Sequence, residues 1–245
     1  MMRYKLILEY DGRGFVGWQR QANGLSVQEA LETAVTRFCG ETAAVHGAGR
    51  TDTGVHALGQ VAHVDLARAA PTDTVRDALN FHLRPHAVAV LAAEVAEDGF
   101  HARFSARARV YRYRIVNRRA PLTLESGQAW HVPAKLDLAA MQAAAAELVG
   151  QHDFSSFRAA ECQAKSPVRT LDVLALARAG DVVTLETHAR SFLHHQVRNI
   201  VGTLKLVGEG SWAPTDVRRA LAARDRAKAG PTAPPDGLFL VEVRY

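Results

Sequence analysis

The chain has 245 residues, enough for one large domain or two small ones, and 48% hydrophobic content supports a sizeable core. No apolar run is long enough to span a bilayer, no charged-then-apolar leader is visible, and Cys39 and Cys162 form no metal or disulfide pattern. These features argue against a membrane-spanning helix and a disulfide scaffold, and a cytoplasmic location is expected. The balance of 30 Lys+Arg against 25 Asp+Glu gives a net charge of +5, and the excess is unevenly placed.

Tyr4, Leu6, Leu8 and Tyr10 alternate as on a half-buried strand that turns at Asp11-Gly12. Ser26 and Glu29 have capping-box spacing, and Val27, Ala30, Leu31, Ala34, Val35 and Phe38 follow at helical intervals until Gly40. Strands are expected over 42–48 and 60–66, flanking Gly47-Ala-Gly-Arg50-Thr-Asp52-Thr-Gly54-Val-His56. Glycine in such a loop permits positive φ and close approach of a ligand to backbone. Arg50 and Asp52, two apart, face the same side if the backbone is extended, pairing an anion-binding group with a candidate nucleophile or base. A solvated turn is the competing reading. Pro71-Thr72-Asp73 opens a second helix through Leu79, and 87–96 is an apolar strand. The order so far is β-α-β-β-α-β.

Residues 101–119 hold His101, Arg103, Arg107, Arg109, Arg112, Arg114, Arg118 and Arg119 without one acid, interleaved with Phe104, Tyr111 and Tyr113. A strand of that composition offers guanidinium forks to phosphates and rings to bases, so a nucleic acid is the favoured partner. A strand at 107–117 starts a second round. Asp137 caps a helix carrying Leu138, Met141, Ala145 and Leu148 on one face, which Gly150 ends, and 170–178 and 182–190 form a hairpin around Ala179-Gly180-Asp181. A helix at about 194–208, a shorter one after Pro214 and a closing strand at 238–245 complete it. The expected fold is α+β: two ferredoxin-like (split βαβ) halves, residues 1–105 and 106–245, whose sheets form an extended platform with a central cleft.

Other sites are set aside on physical grounds. Gly47 and Gly49 resemble the start of a dinucleotide fingerprint, but Asp52 at the third glycine position repels a pyrophosphate. His82 and His86 are separated by Pro85, which breaks the helix that would align them on zinc, and the adjacent His194 and His195 do not face one way. No metal is expected.

Several ordered segments resemble a single family. They are Glu9-Tyr10-Asp11-Gly12 with Phe15, Gly17-Trp18-Gln19 and Gln21, then Ser26-Val27-Gln28, and Gly49-Arg50-Thr51-Asp52 with Gly54-Val55-His56. They continue with Arg109-Val110-Tyr111-Arg112-Tyr113, Gly150-Gln151-His152-Asp153-Phe154 with Ser156-Phe157, the run Phe192–Gly202, and Thr232-Ala233-Pro234-Pro235 with Gly237-Leu238. Together they are similar to the tRNA pseudouridine synthase A family over nearly the whole chain. Thr53 stands where Ala is usual, adding a hydroxyl next to the nucleophile able to tune its hydrogen bonding, and Gln196 stands where Met is usual.

The resemblance implies isomerisation of uridine to pseudouridine at positions 38 to 40 of the tRNA anticodon arm, without a cofactor, by a homodimer with the tRNA across both subunits. By residue, it makes Asp52 the nucleophile and Arg198 the cation paired with it, which places the active site between the halves. Tyr111 is then the substrate-contacting tyrosine, with Tyr113 read as packing. Arg50 fills the space vacated by the flipped base, and Leu238 forms an apolar wall under that base. A non-catalytic RNA-binding protein would need the basic aromatic strand but not Asp52 in a glycine loop. A glycoside-hydrolase-like enzyme would need a second carboxylate, and none stands out in the 47–56 loop.

Overall fold

The computed structural model describes residues 1–245, and the alternation at its N-terminus produces strand β1 (Met2–Tyr10), whose Tyr4, Leu6, Leu8 and Tyr10 are all buried. Each such side chain contributes about 1.5–3 kcal/mol of burial free energy. Tyr4 satisfies its hydroxyl by donating to the Ala70 carbonyl at 2.6 Å and accepting from the Ala70 N–H at 2.8 Å. The chain is α+β, with ten strands and five α-helices. It divides into two compact units: Met1–Arg107 together with Phe239–Tyr245, and Ala108–Leu238.

In the first unit, helix α1 (Val27–Cys39) starts where the Ser26 hydroxyl accepts the Glu29 N–H at 3.1 Å and stops at Gly40 in left-handed conformation. This is the expected cap at each end. Strand β2 contracts to His46–Gly47, and β3 (His56–Leu66) is longer than its alternating core. Helix α2 (Thr72–Leu83) runs one turn past Leu79, since Leu83 is also buried and Asn80 pairs with both backbone groups of Val90 in β4 (Val88–Val95). β1 lies antiparallel between β4 and β3.

The outer edge of β3 is shared. β2 takes His63 and Ala62, while Phe239 and Leu240 of the C-terminal strand pair in parallel with His56 and Ala57. That explains why β2 is short. It also groups residues 239–245 with β3 in the first compact unit. The order β4-β1-β3 with β2 at the edge is that of a split βαβ half.

The second unit contains β5 (Ala108–Val116), the two-residue β6 (Trp130–His131), α3 (Leu138–Ala146), β7 (Gly150–Asp153), β8 (Val168–Ala179), β9 (Val182–Ala189), α4 (Gln196–Gly208) and α5 (Pro214–Ala223). Its antiparallel order β5-β9-β8-β7 keeps the first, third and second strands of the split βαβ plan adjacent and adds β7 beside β8. Asp137 caps α3 as expected, by accepting the Ala140 N–H at 3.0 Å. α4 begins at Gln196 instead of 194 because His195 sits at φ +61, a left-handed conformation that a helix cannot contain. The closing strand is β10 (Leu238–Arg244).

Candidate active site

The segment 47–56 is a clamped loop and not a solvated turn. Its Thr51 is buried, and the Thr51 hydroxyl meets the Tyr10 hydroxyl at 2.8 Å. Burial pushes the Tyr10 phenol up to about 12, against the pull of its hydrogen bonds to Thr51 and Gln60, so it stays a neutral anchor. Gln60, fully buried on β3, donates to the Gly49 carbonyl at 2.9 Å. The Thr51 carbonyl accepts the Trp18 N–H at 3.0 Å, and Val55 N–H closes a turn onto the Asp52 carbonyl at 3.1 Å. Asp52 therefore projects, half-buried, from backbone fixed on both sides, and Arg50, just after the bend at Ala48–Gly49, lies exposed.

Two glycines make the clamp possible. Gly17, at φ +108, lets its segment approach the loop so closely that a Cβ would stand 2.7 Å from the Thr51 carbonyl oxygen. A Cβ on Gly47 would fall 2.4 Å from the Trp18 indole. Gly47 thus serves packing of Trp18, whereas the sequence pattern suggests room for a ligand. Thr53 likewise differs from its sequence reading. Its hydroxyl donates to the Val16 carbonyl at 3.0 Å, and a hydroxyl has one proton to give, so it does not donate to a carboxylate.

In the second unit, β5 turns Arg109, Tyr111, Tyr113 and Ile115 to one face, all of them buried. Tyr111 meets Phe192 edge to face, with ring centroids 5.2 Å apart. Tyr113 is sealed from solvent and donates its hydroxyl to the Pro234 carbonyl at 2.8 Å, so packing describes it better than proton transfer. Burial raises its phenol far above the ordinary range, opposed by the Arg198 charge. Arg198, on the first turn of α4, is half-buried and donates its Nε to the Ala233 carbonyl at 2.8 Å, while Ala233 N–H returns to the Arg198 carbonyl at 3.1 Å.

A polar staple behind Arg198 is invisible to residue-by-residue reading. Asn199 Nδ2 donates to the Phe157 carbonyl at 2.9 Å, and its Oδ1 accepts from Thr232 at 2.7 Å and Arg226 at 3.1 Å. Thr203 bonds the Asn199 carbonyl and the Gly230 N–H. Gly202 permits this packing, since a Cβ there would lie 1.7 Å from the Pro231 carbonyl oxygen. The signal in the sequence was indirect: the 192–202 and 232–238 segments both carry the family resemblance, and they are the two sides of this staple. Leu238 is buried at the exit of the Pro235–Gly237 turn. The loop of Arg50 and Asp52 thus belongs to the first unit, and Tyr111, Arg198 and Leu238 to the second.

The basic run 101–119 splits between the units, and its strand portion is not a row of open guanidinium forks. Arg112 pairs with Glu186 at 3.6 Å, Arg114 with Glu125, and Arg109 donates to the Arg190 carbonyl at 2.5 Å. The opposing charges come from β9 and from the loop after β5, neither of which the run itself reveals.

The family described as tRNA pseudouridine synthase matches the chain over residues 6–105 and 144–245. Among its relatives, "tRNA pseudouridine synthase A" of Rhodospirillum centenum is 65% identical over 245 residues, covering all of both chains. The protein of the same name from Paramagnetospirillum magneticum is 62% identical over all of this chain and 96% of its own, and that of Parvibaculum lavamentivorans is 60% identical over all of both. Identity at this level along the whole length, with Asp52 and Arg198 both inside the matched segments, settles the assignment: the chain belongs to the tRNA pseudouridine synthase family.

Proposed function

We propose that this protein converts uridine to pseudouridine at positions 38, 39 and 40 of the tRNA anticodon arm, with Asp52 as nucleophile. The observation that carries this reading is a carboxylate held on clamped backbone within a chain of the tRNA pseudouridine synthase family. A nucleophile gains from such fixation because its approach geometry is set before the substrate arrives. The reaction balances without an oxidant or reductant. The C1′–N1 bond breaks, a C1′–C5 bond forms, the C5 proton leaves and N1 regains one, so no cofactor is required.

Reaching a base in a stem requires extrusion, at roughly a few kcal/mol for the flipped nucleotide. Arg50, exposed beside the nucleophile, is suited to occupy the vacated stack and bind phosphate. Arg198 is the cation that the resemblance pairs with the nucleophile, a role suited to a guanidinium; its Nε is held by the Ala233 carbonyl and the adjoining Asn199 by Thr232. The Tyr111 ring stacks on the uracil and its hydroxyl assists removal of the C5 proton, while Leu238 walls the base. The protein acts in the cytoplasm as a homodimer; no helix is long and apolar enough to cross a membrane.

The test is tritium release from tRNA transcripts labelled at uridine C5, each with labelled uridine at one of positions 38, 39 or 40. Release from these and not from labels elsewhere supports the assignment. Tight binding without release would identify a non-catalytic RNA-binding protein, and abasic products would identify a hydrolase.

A further inference from the structure

The turn at residues 101–105 serves neither the Asp52 loop nor β5, yet it is built with care. Every backbone N–H from His101 to Ser105 is bonded. His101 N–H donates to Ser105 Oγ at 3.0 Å, Ala102 to His63 Nδ1 at 3.2 Å, Arg103 and Phe104 to His101 Nδ1 at 3.1 and 3.4 Å, and Ser105 to the His101 carbonyl at 2.9 Å. Its rings continue a cluster that starts in the sheet. His46 stacks on His63 at 5.0 Å, His63 meets His101 at 4.6 Å, and His101 lies against Phe104 at 4.4 Å.

Three histidines together invite a metal reading, but the hydrogen bonds oppose it. Because the Nδ1 atoms of His63 and His101 accept backbone N–H groups, their protons reside on Nε2, and neither ring offers a second lone pair without losing that proton. The cluster instead ends in Phe104, a residue 73% exposed, with the Arg103 guanidinium 5.7 Å from its ring centroid. A lone exposed Phe is ordinary on a protein surface. This one is held by a fully bonded turn, backed by rings and accompanied by a cation, in a stretch with no acid from His101 to Arg107, the part of the basic run that lies in the first unit.

We propose that Phe104 and Arg103 form an RNA-docking platform, on which an unpaired base of the tRNA stacks while Arg103 faces the adjoining phosphate. A fixed ring exacts little ordering entropy from the complex, and ring–base stacking tolerates any base identity. The platform is a positioning element, separate in sequence and role from the nucleophile loop. It rests on the tRNA reading only for the choice of RNA as partner.

Filter binding of an unmodified tRNA transcript to wild type, Phe104→Ala and Phe104→Tyr tests it. Phe104→Ala should weaken Kd on the order of tenfold, the loss of one base–aromatic stack, and Phe104→Tyr should restore it. Tm and kcat at saturating tRNA should stay at wild-type values. Unchanged affinity in Phe104→Ala overturns the proposal. So does a change of oligomeric state in sedimentation with RNA affinity intact, which would make the platform a contact between copies. Affinity is read without turnover, so a protein that binds through Phe104 but releases no tritium would refute the isomerase reading alone.

Discussion

Between about pH 7.5 and pH 4.5 an unfolded chain protonates its histidines, whereas His63 in the folded first unit resists. Its ring is buried, and desolvation, assisted by the Arg3 charge and by His101 and His46, lowers its pKa from the ordinary 6.5 to about 4; Asp65, bonded to Arg3, pulls weakly the other way. The Nδ1 lone pair is also committed to Ala102 N–H. The unfolded state therefore takes up a proton below 6.5 that the folded state refuses until about 4. The stability contributed by neutral His63 is complete above 6.5 and is lost as the pH falls toward 4. A gap of that size is worth about 3 kcal/mol at its limit, and about 2.5 kcal/mol at pH 4.5. Against the usual 5–15 kcal/mol of a folded domain, that is a large fraction. Urea unfolding of wild type and His63→Gln at the two pH values measures it, since Gln retains an acceptor but does not titrate. Wild type should lose about 2–3 kcal/mol more than the variant over the interval, the carboxylates cancelling in the difference. Equal losses in the two proteins would refute the reasoning.

Asp52→Ala should abolish tritium release while leaving tRNA affinity within about threefold of wild type, since the clamp acts on the loop backbone; substantial residual turnover would remove Asp52 from the nucleophile role. Tyr111→Phe keeps the ring and deletes the hydroxyl, so kcat should fall with KM little changed, and a wild-type kcat would end the proton-transfer role while leaving stacking intact. Gly17→Ala forces a Cβ against the Thr51 carbonyl at a strained φ, costing about 1–3 kcal/mol in a thermal melt and lowering kcat at least tenfold through displacement of Asp52. Thr53→Ala removes only an exposed bond to Val16 and should alter stability by no more than about 1 kcal/mol and kcat by less than twofold, checked by melting and by the same release assay.

The elements were legible where local chemistry dictates them. Ser26, Gly40 and Asp137 cap the helices they predict, because capping joins residues three or four apart. The alternation of Tyr4 to Tyr10 fixes which side chains of β1 point inward. Where partners are distant, the pattern was silent or misleading. Gly47 makes room for Trp18, Thr53 bonds Val16, and Arg112 and Arg114 are neutralised by Glu186 and Glu125, contacts that no spacing rule encodes.

The sequence by itself determined the two α+β rounds, the family, and the candidacy of Asp52, Arg50, Tyr111, Arg198 and Leu238 through ordered motifs. Only the tertiary structure decided that the C-terminal strand returns to pair with His56 and Ala57 of β3, that Tyr10, Gln60 and Trp18 clamp the Asp52 loop, and that Asn199 and Thr232 brace Arg198. The reason is physical. Periodicity and caps arise from the backbone and its immediate neighbours, whereas edge pairing, buried hydrogen bonds and the packing against Gly17 and Gly202 join residues far apart in the chain, which meet only after the core has formed.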